Sequence, residues 1–560
     1  MARRQKKEIE FDEIFLDSRN ALGFDRRSRE GALERPISKE PFTALWWVFA
    51  VILLFFLVRA GFLQIVKGED FYARSENNYL RVRSKELARG LIYDRSGEIL
   101  VKNDFQDNSW KRTYPPSGFF HALGFLSRAE YPPEFTGFGA GASGLEASYD
   151  DILRGKPQEQ IEEVNKKGEV LESGILQKGA EGEGILTTLS KNLQIKLAEA
   201  ISETMSAHAF KGGAGIFLDP KTGEVLALVS MPDFDPNILE AGDKNLIEKL
   251  LADSSEPFFN RAISGLYPPG SIVKLALAAG ALNEGVIDPD KKILSTGSIS
   301  LPNPYDAAHP NVFPDWKQLG WVNMREAIAQ SSDVYFYEIG GGYQDQKGLG
   351  PWNIKKYLSL FGFAERSGVD LPGEKAGHLP DPTEKQGGRD WTIGDTYNIA
   401  IGQGDMTITP IEAAIYVATV ANLGNMPYPH LVRARTDASG MALETFSYPF
   451  KKQDIISKEF LKIVHEGMRD AVVYGTAKGL GALPVEMAAK TGTAEIGDTA
   501  KVNSWSIGFF PYQDPEIAFA IVMEAGPRAN TIGATYVASE VTRWILDTGF
   551  LAKLKNDKLK

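Results

Sequence analysis

Ser271 and Lys274 stand three residues apart in "LYPPGSIVKLALAAGALNEG", residues 266 to 285, and chemistry is first visible there. Pro268, Pro269 and Gly270 end any preceding element, and about fourteen small or apolar residues then favour a helix. An N-capping serine followed by a lysine that snorkels to water would account for the pair structurally. The same spacing permits nucleophilic catalysis. Residues i and i+3 share a helix face, so the amine can sit against the hydroxyl. A lysine held in an apolar pocket gives up its proton more readily. As a neutral amine it could take the serine's proton and leave an alkoxide-like nucleophile. The helix N-terminus beneath Ser271 favours the negative charge that develops. No other Ser-x-x-Lys occurs in the 560 residues.

Two later segments carry complementary groups. "AIAQSSDVYFYEIG" supplies Ser331 and Asp333, and the apolar "VEMAAKTGTAEI" supplies Lys490, Thr491, Gly492 and Thr493. On a strand, Gly492 admits close approach of another backbone. A free strand edge can pair with an extended peptide, and Lys490 with the threonine hydroxyls can bind that peptide's terminal carboxylate. A second copy, Lys221-Thr222-Gly223, lies in "DPKTGE" between two apolar runs and reads as a hairpin turn. An ionised Asp333 beside Lys274 would hold the amine charged and oppose its use as a base. Asp333 is therefore expected to point away from Lys274, towards a substrate amide or Ser331.

These groups need a large scaffold, and the composition provides one. Hydrophobic residues make up 43%, charged residues 24% and aromatics 11%, which describes globular domains with ample core. The net charge of −11 argues against duplex nucleic acid as a partner. With no cysteine, disulfides, zinc-thiolate sites and a cysteine nucleophile are excluded. The six histidines show no zinc-hydrolase spacing.

Residues 42 to 66 form an apolar run, "FTALWWVFAVILLFFLVRAGFLQIV", interrupted only by Arg59. As a helix it covers about 37 Å at about 1.5 Å per residue, enough to span a bilayer with some tilt. Ten Lys and Arg residues precede it, which places the N-terminus inside and the remainder outside. More than forty residues lie ahead of it and no Ala-x-Ala site follows, so it reads as a signal anchor rather than a cleaved signal peptide.

Past the membrane, "LRVRSKELARGLIYDRSGEILVKND" reads as strand and tight turn, residues 105 to 145 as irregular, and "GLEASYDDILRG" as a short helix ending at Gly155. "GEGILTTLSKNLQIKLAEAI" changes from strand to amphipathic helix near Lys191. "AGIFLDPKTGEVLALVS" is a hairpin, a helical middle follows, and three strands arrive late: "VEMAAKTGTAEI", "NSWSIGFFP" and "EIAFAIVME". Two strands, a helical insert, three strands and flanking helices predict an α+β domain. Its five-stranded antiparallel sheet would be covered by helices on both faces. The expected domains are a cytoplasmic tail (1–41), a transmembrane anchor (42–66), a pedestal (67–184) and a catalytic domain (185–560).

Ser-x-x-Lys, Ser-x-Asp and Lys-Thr-Gly, in that order, resemble the signature of the penicillin-recognising serine acyltransferases. "SENNYLRVRSKELARGLIYDRSGEIL", "GASGLEASYDDILRGK", "ILTTLSKNLQ", "IAIGQGDMTITPIEAA" and "AAKTGTAEIG" extend the likeness to class B penicillin-binding proteins. "SSDVYFYEIG" is most similar to the elongation type, penicillin-binding protein 2. No glycosyltransferase domain precedes the pedestal, which sets the bifunctional class A aside. Two features depart from the family. "LGWVN" replaces the frequent Gly-His-Gly before the second motif, and the pedestal is shorter than in elongation-type relatives.

The resemblance implies a membrane-anchored D,D-transpeptidase acting without metal or organic cofactor. Its substrates would be peptidoglycan stem peptides ending in D-Ala-D-Ala, and β-lactams would acylate it. Ser271 would be the nucleophile, with the amides of Ser271 and Thr493 as oxyanion hole. Lys274 would be the activating amine, Ser331 the proton relay to the leaving group, and Asp333, Lys490, Thr491, Gly492 and Thr493 the substrate-binding residues. A RodA-type membrane glycosyltransferase is the implied partner. A division-type transpeptidase is the nearest alternative; a D,D-carboxypeptidase, a β-lactamase and a membrane-bound β-lactam sensor are more distant ones.

Overall fold

A computed structural model of the chain describes residues 39–69, 71–72, 78–85, 87–106, 109–127, 138–165, 167–303, 306, 308–384, 389–497 and 500–558. They form two compact units, one of residues through Val82 with Ile161–Gly174, the other of Arg83–Gln160 with Ile175–Lys560. In the first unit, helix Lys39–Gly61 continues as one π-helical turn, Phe62–Val66. Its apolar stretch Thr43–Val66 is 24 residues long, with none of its most apolar window buried inside the protein. That length and exposure suit a single membrane span. The expected cytoplasmic tail lies almost wholly outside the described residues.

The second unit is built on five strands: β1 (Gly212–Leu218), β2 (Val225–Met231), β3 (Ala488–Glu495), β4 (Lys501–Phe510) and β5 (Ile517–Pro527). They form the single five-stranded antiparallel sheet that the sequence predicts, and the structure sets its order as β2-β1-β5-β4-β3. Successive side chains alternate across a sheet, so each strand feeds two cores. Ala214, Ile216 and Leu218 enter one cluster with Ala518, Ala520 and Val522, whereas Phe217 enters the other with Phe519 and Ile521.

The helices that matter are α1 (Lys191–His208), α2 (Lys274–Asn283), α3 (Met324–Gln330), α4 (Asp333–Gly341), α5 (Pro410–Ala421), α6 (Lys458–Val473) and α7 (Ala534–Asp547). Leu193, Leu197 and Ile201 of α1 and Val537, Val541 and Ile545 of α7 cover one face. α2, α5 and α6 pack on the other, where α2 is buried along nearly its whole length. The first Lys-Thr-Gly copy is a turn, with Gly223 at φ +83° and Lys221 bonded to Asp514 and Glu516.

A second sheet runs in the order Ala442–Thr445, Val432–Thr436, Gly184–Thr187, Ile92–Tyr93, Ile99–Gln106, Ser109–Thr113. Strand Gly184–Thr187, at the expected pedestal boundary, lies inside it. The expectation of an irregular 105–145 is corrected for its first part, where Ile99–Gln106 and Ser109–Thr113 pair antiparallel, while 107–108 and 128–137 lie outside the described residues. Phe105 faces Trp110 across the pair, ring centroids 4.9 Å apart, and such cross-strand aromatic pairing overrides a turn-like composition. Below these strands, buried Glu146 pairs with Arg89 at 2.7 Å and Arg112 at 2.8 Å. Both guanidiniums are at least nine-tenths buried, and Glu146 compensates them together with Asp150, which pairs with Arg89 at 2.7 Å.

Candidate active site

Ser271 sits on a 3₁₀ turn, Gly270–Val273, that runs directly into α2, with Lys274 as the first α-helical residue. Three contacts hold the turn. The Gly270 amide donates to the Gly402 carbonyl at 2.9 Å. The Trp505 indole donates to the Pro268 carbonyl at 3.0 Å. The Tyr416 hydroxyl donates to Ile272 O at 3.0 Å while accepting from Ala276 N at 2.8 Å. Burial pushes the Tyr416 phenol far above its ordinary value, so it remains a neutral donor.

The packing around this turn demands glycine twice. Gly270 has φ +57°, and a Cβ there would lie 2.8 Å from the Thr493 carbonyl oxygen. Gly402 has φ +76°, and its Cβ would lie 2.1 Å from the Gly270 carbonyl. The backbones of Gly270 and Thr493 thus meet beside Ser271. Gly492 adds to the closeness, its missing Cβ lying 3.0 Å from the Pro269 carbonyl and from Ile272.

The second motif lies in the break between α3 and α4. An Asn323–Glu326 capping box starts α3, and Ser331 ends it in the left-handed region at φ +57°. Ser332 then caps α4, accepting from Tyr335 N at 3.2 Å. This reversal turns both Ser331 and Asp333 towards Lys274. The Lys274 ammonium, fully buried, donates to Ser331 O at 2.8 Å, to Ser331 Oγ at 3.3 Å and to Asp333 Oδ1 at 2.6 Å. The Phe336 ring lies 5.5 Å from it.

The expectation that Asp333 points away from Lys274 is therefore wrong. An ammonium cut off from water needs a counter-charge, and the first residue of α4 provides it. Among the described residues no hydrogen bond joins Lys274 to the Ser271 hydroxyl.

The third motif approaches from β3, the terminal strand of the sheet, whose outer edge has no partner strand among the described residues. Lys490 is fully buried, and its amine donates to Ser331 Oγ and to Thr491 O, each at 2.8 Å. Burial first, and then the charge of Lys274, push this amine well below its ordinary value, while Asp333 acts in the opposite sense. Ser331 Oγ thus accepts from two amines. A hydroxyl has two lone pairs, so its own proton is left free to be donated elsewhere. Thr491 turns away to bond Thr476 Oγ1 at 2.7 Å, and Thr493 is exposed.

All eight residues singled out in the sequence thus lie on three elements that meet here. Sequence reasoning missed Gly402, Tyr416 and Thr476, which hold those elements. Gly402 stood in the quoted "IAIGQGDMTITPIEAA", but nothing local marked its target. Among the described residues no group of His, Asp and Glu could hold a metal ion. A separate groove of about 640 Å³, between Ile99–Lys102 and α1, shares no residue with the site.

The penicillin-binding protein transpeptidase domain family matches residues 213–547, and the penicillin-binding protein dimerisation domain family matches residues 105–187. The peptidoglycan D,D-transpeptidase MrdA of Acinetobacter baumannii is 28% identical, over 90% of this chain and 87% of that protein. The solved structure of Pseudomonas aeruginosa penicillin-binding protein 2 in complex with WCK 5153 superposes with a TM-score of 0.68 at 28% identity, covering 83% of this chain and 97% of that one. A chain from a peptidoglycan synthase complex that coordinates polymerization and crosslinking gives 0.69 at 27% identity, covering 91% and 98%. With the domain match spanning more than half its length, this chain belongs to the penicillin-binding protein transpeptidase family, in its penicillin-binding protein 2 branch.

Proposed function

We propose that this chain is an elongation-type peptidoglycan D,D-transpeptidase that works through a serine acyl-enzyme and is acylated by β-lactams at Ser271. The observation that carries the reading is the convergence of the Lys274 and Lys490 amines on Ser331 Oγ, at 3.3 and 2.8 Å, beside the turn that bears Ser271. A stem peptide ending in D-Ala-D-Ala pairs with the free edge of β3, its carboxylate against Thr493 and the Lys-Thr-Gly stretch. Ser271 Oγ attacks the penultimate carbonyl, and its proton passes to Lys274 Nζ as Lys274, still paired with Asp333, releases one of its own through Ser331 Oγ towards the leaving nitrogen. The amides of Ser271 and Thr493 receive the oxyanion.

Ser331 then donates its proton to the departing D-alanine nitrogen as the C–N bond breaks. An amine from a second stem peptide attacks the ester, an amide forms, and Ser271 recovers its proton. Asp333 serves as the counter-ion that keeps Lys274 oriented between transfers.

The apolar helix anchors the chain in the cell membrane, with the N-terminus cytoplasmic and the catalytic domain outside. Its basic preceding residues support that orientation. Residues 67–184 serve as the pedestal and 185–560 as the transpeptidase domain. The likeness to a chain of a synthase complex supports a membrane glycosyltransferase of the RodA kind as partner.

The test is labelling of the purified full-length protein with a fluorescent penicillin, followed by peptide mass spectrometry. The adduct is expected on Ser271, and Ser271→Ala should remove it without loss of the folded state. An adduct on any other residue overturns the assignment. Incubation with polymerised glycan bearing pentapeptides should give crosslinked dimers. Tetrapeptide alone would indicate a carboxypeptidase, and rapid release of hydrolysed penicillin a β-lactamase.

A further inference from the structure

Ser331 occupies a backbone region that non-glycine residues visit sparsely, and such a conformation persists only where its surroundings over-determine it. The residues on either side show what does so. Asp315, just after strand Asn311–Pro314, accepts through Oδ2 from Ser332 Oγ at 2.8 Å and from the Val334 amide at 3.1 Å. The same oxygen accepts from Ser295 Oγ at 3.1 Å, while Oδ1 accepts from the Trp316 amide at 2.8 Å. The Asp315 amide is itself tied to Gly297 O at 2.8 Å. Trp316 then reaches back, its indole donating to Gln330 O at 3.0 Å. Residues 330, 332 and 334 are therefore gripped by the consecutive pair Asp315-Trp316, which leaves 331 and 333 to face the two lysines.

We infer that Asp315, assisted by Trp316, is a positioning residue for acyl transfer, one that holds the left-handed turn at Ser331 so that Ser331 Oγ meets both amines and Asp333 meets Lys274. The inference rests on the reading of Ser271 as nucleophile. The carboxylate also answers an orphan amide at the N-terminus of α4, where negative charge is favoured. Without Asp315 the turn relaxes and Ser331 Oγ leaves the line between the amines. The proton transfers slow, while penicillin capture along β3 is untouched.

The experiment uses full-length protein with Asp315→Ala, Asp315→Asn or Trp316→Phe, and resolves penicillin acylation into a dissociation constant and a limiting acylation rate. Thermal melting is recorded in parallel. Asp315→Ala is expected to lower the limiting rate by about 10- to 100-fold, the scale of a displaced catalytic group, with little change in the dissociation constant. Asp315→Asn keeps a carbonyl acceptor for Ser332 and Val334, so it should restore part of the rate. Trp316→Phe removes only the Gln330 bond and should cause a smaller loss at an unchanged melting temperature. An Asp315→Ala rate within about twofold of wild type, or a loss residing in the dissociation constant, overturns the inference. If Asp315→Ala does not melt cooperatively, Trp316→Phe decides: a lower limiting rate supports the clamp and a wild-type rate overturns it. Failure of the functional reading itself would look different, since wild-type protein would then not be labelled at Ser271.

Discussion

Lys274 and Asp333 form an ion pair, Nζ to Oδ1 at 2.6 Å, in which the lysine side chain is wholly shielded from solvent and the aspartate keeps 18% exposure. The second motif thus supplies the counter-charge of the amine beside the nucleophile. Asp333→Asn should lower the unfolding free energy by about 3 kcal/mol at pH 7, the low end for stripping one partner from a buried pair. Penicillin acylation should fall with it, because Lys274 loses its strongest orienting contact. Urea denaturation reads the first effect, and a loss below about 1 kcal/mol, the scale of an exposed pair, would mean that the carboxylate compensates nothing.

Lys274→Ala removes the amine itself. Acylation of Ser271 should slow by at least about 100-fold, the lower range for general-base catalysis. Time-resolved labelling with fluorescent penicillin measures it, and a wild-type rate would remove Lys274 from the mechanism.

Lys490 makes a prediction about pH. Its folded-state value lies well below the ordinary 10.5, so between those two values the unfolded chain binds more protons than the folded one. Stability contributed through this group therefore rises with pH across that window. Lys490→Met carries no such proton. Its stability advantage over wild type at pH 7 should shrink as the pH is raised towards 10. Paired urea denaturations at pH 7 and 9.5 test this, and a difference independent of pH would show that Lys490 keeps its charge when folded.

Gly402→Ala tests the floor of the site. The new Cβ would lie 2.1 Å from the Gly270 carbonyl, in a backbone of φ +76°. The expected cost is on the order of 2 kcal/mol or more, from a strained residue and a displaced turn. Acylation should slow as well, because the shifted turn carries Ser271. A variant as stable and as fast as wild type would show that this contact positions nothing.

Much of the fold was legible because its signals are local. The turn at Lys221-Thr222-Gly223, the apolar strands on both sides of it and the onset of α1 near Lys191 each rest on a few adjacent residues. The strand Ser109–Thr113 was not legible, because its stability comes from pairing with Ile99–Gln106, as between Phe105 and Trp110. Gly402 and Tyr416 were missed for a related reason: their targets, Gly270 and Ile272, lie more than a hundred residues away.

The chain by itself determined which reactive groups are present and in what order: one Ser-x-x-Lys, then Ser331 with Asp333, then the Lys-Thr-Gly stretch inside an apolar strand. Residue type sets what a side chain can donate, accept or attack with, and that much survives without coordinates. Tertiary structure decided the pairing. It set Asp333 against Lys274, brought Lys490 onto Ser331 Oγ and aimed Asp315 at the turn between. Burial is the physical reason. Once Lys274 and Lys490 are cut off from water, each must find its partners within the protein, and only the packed fold determines which oxygens lie within reach.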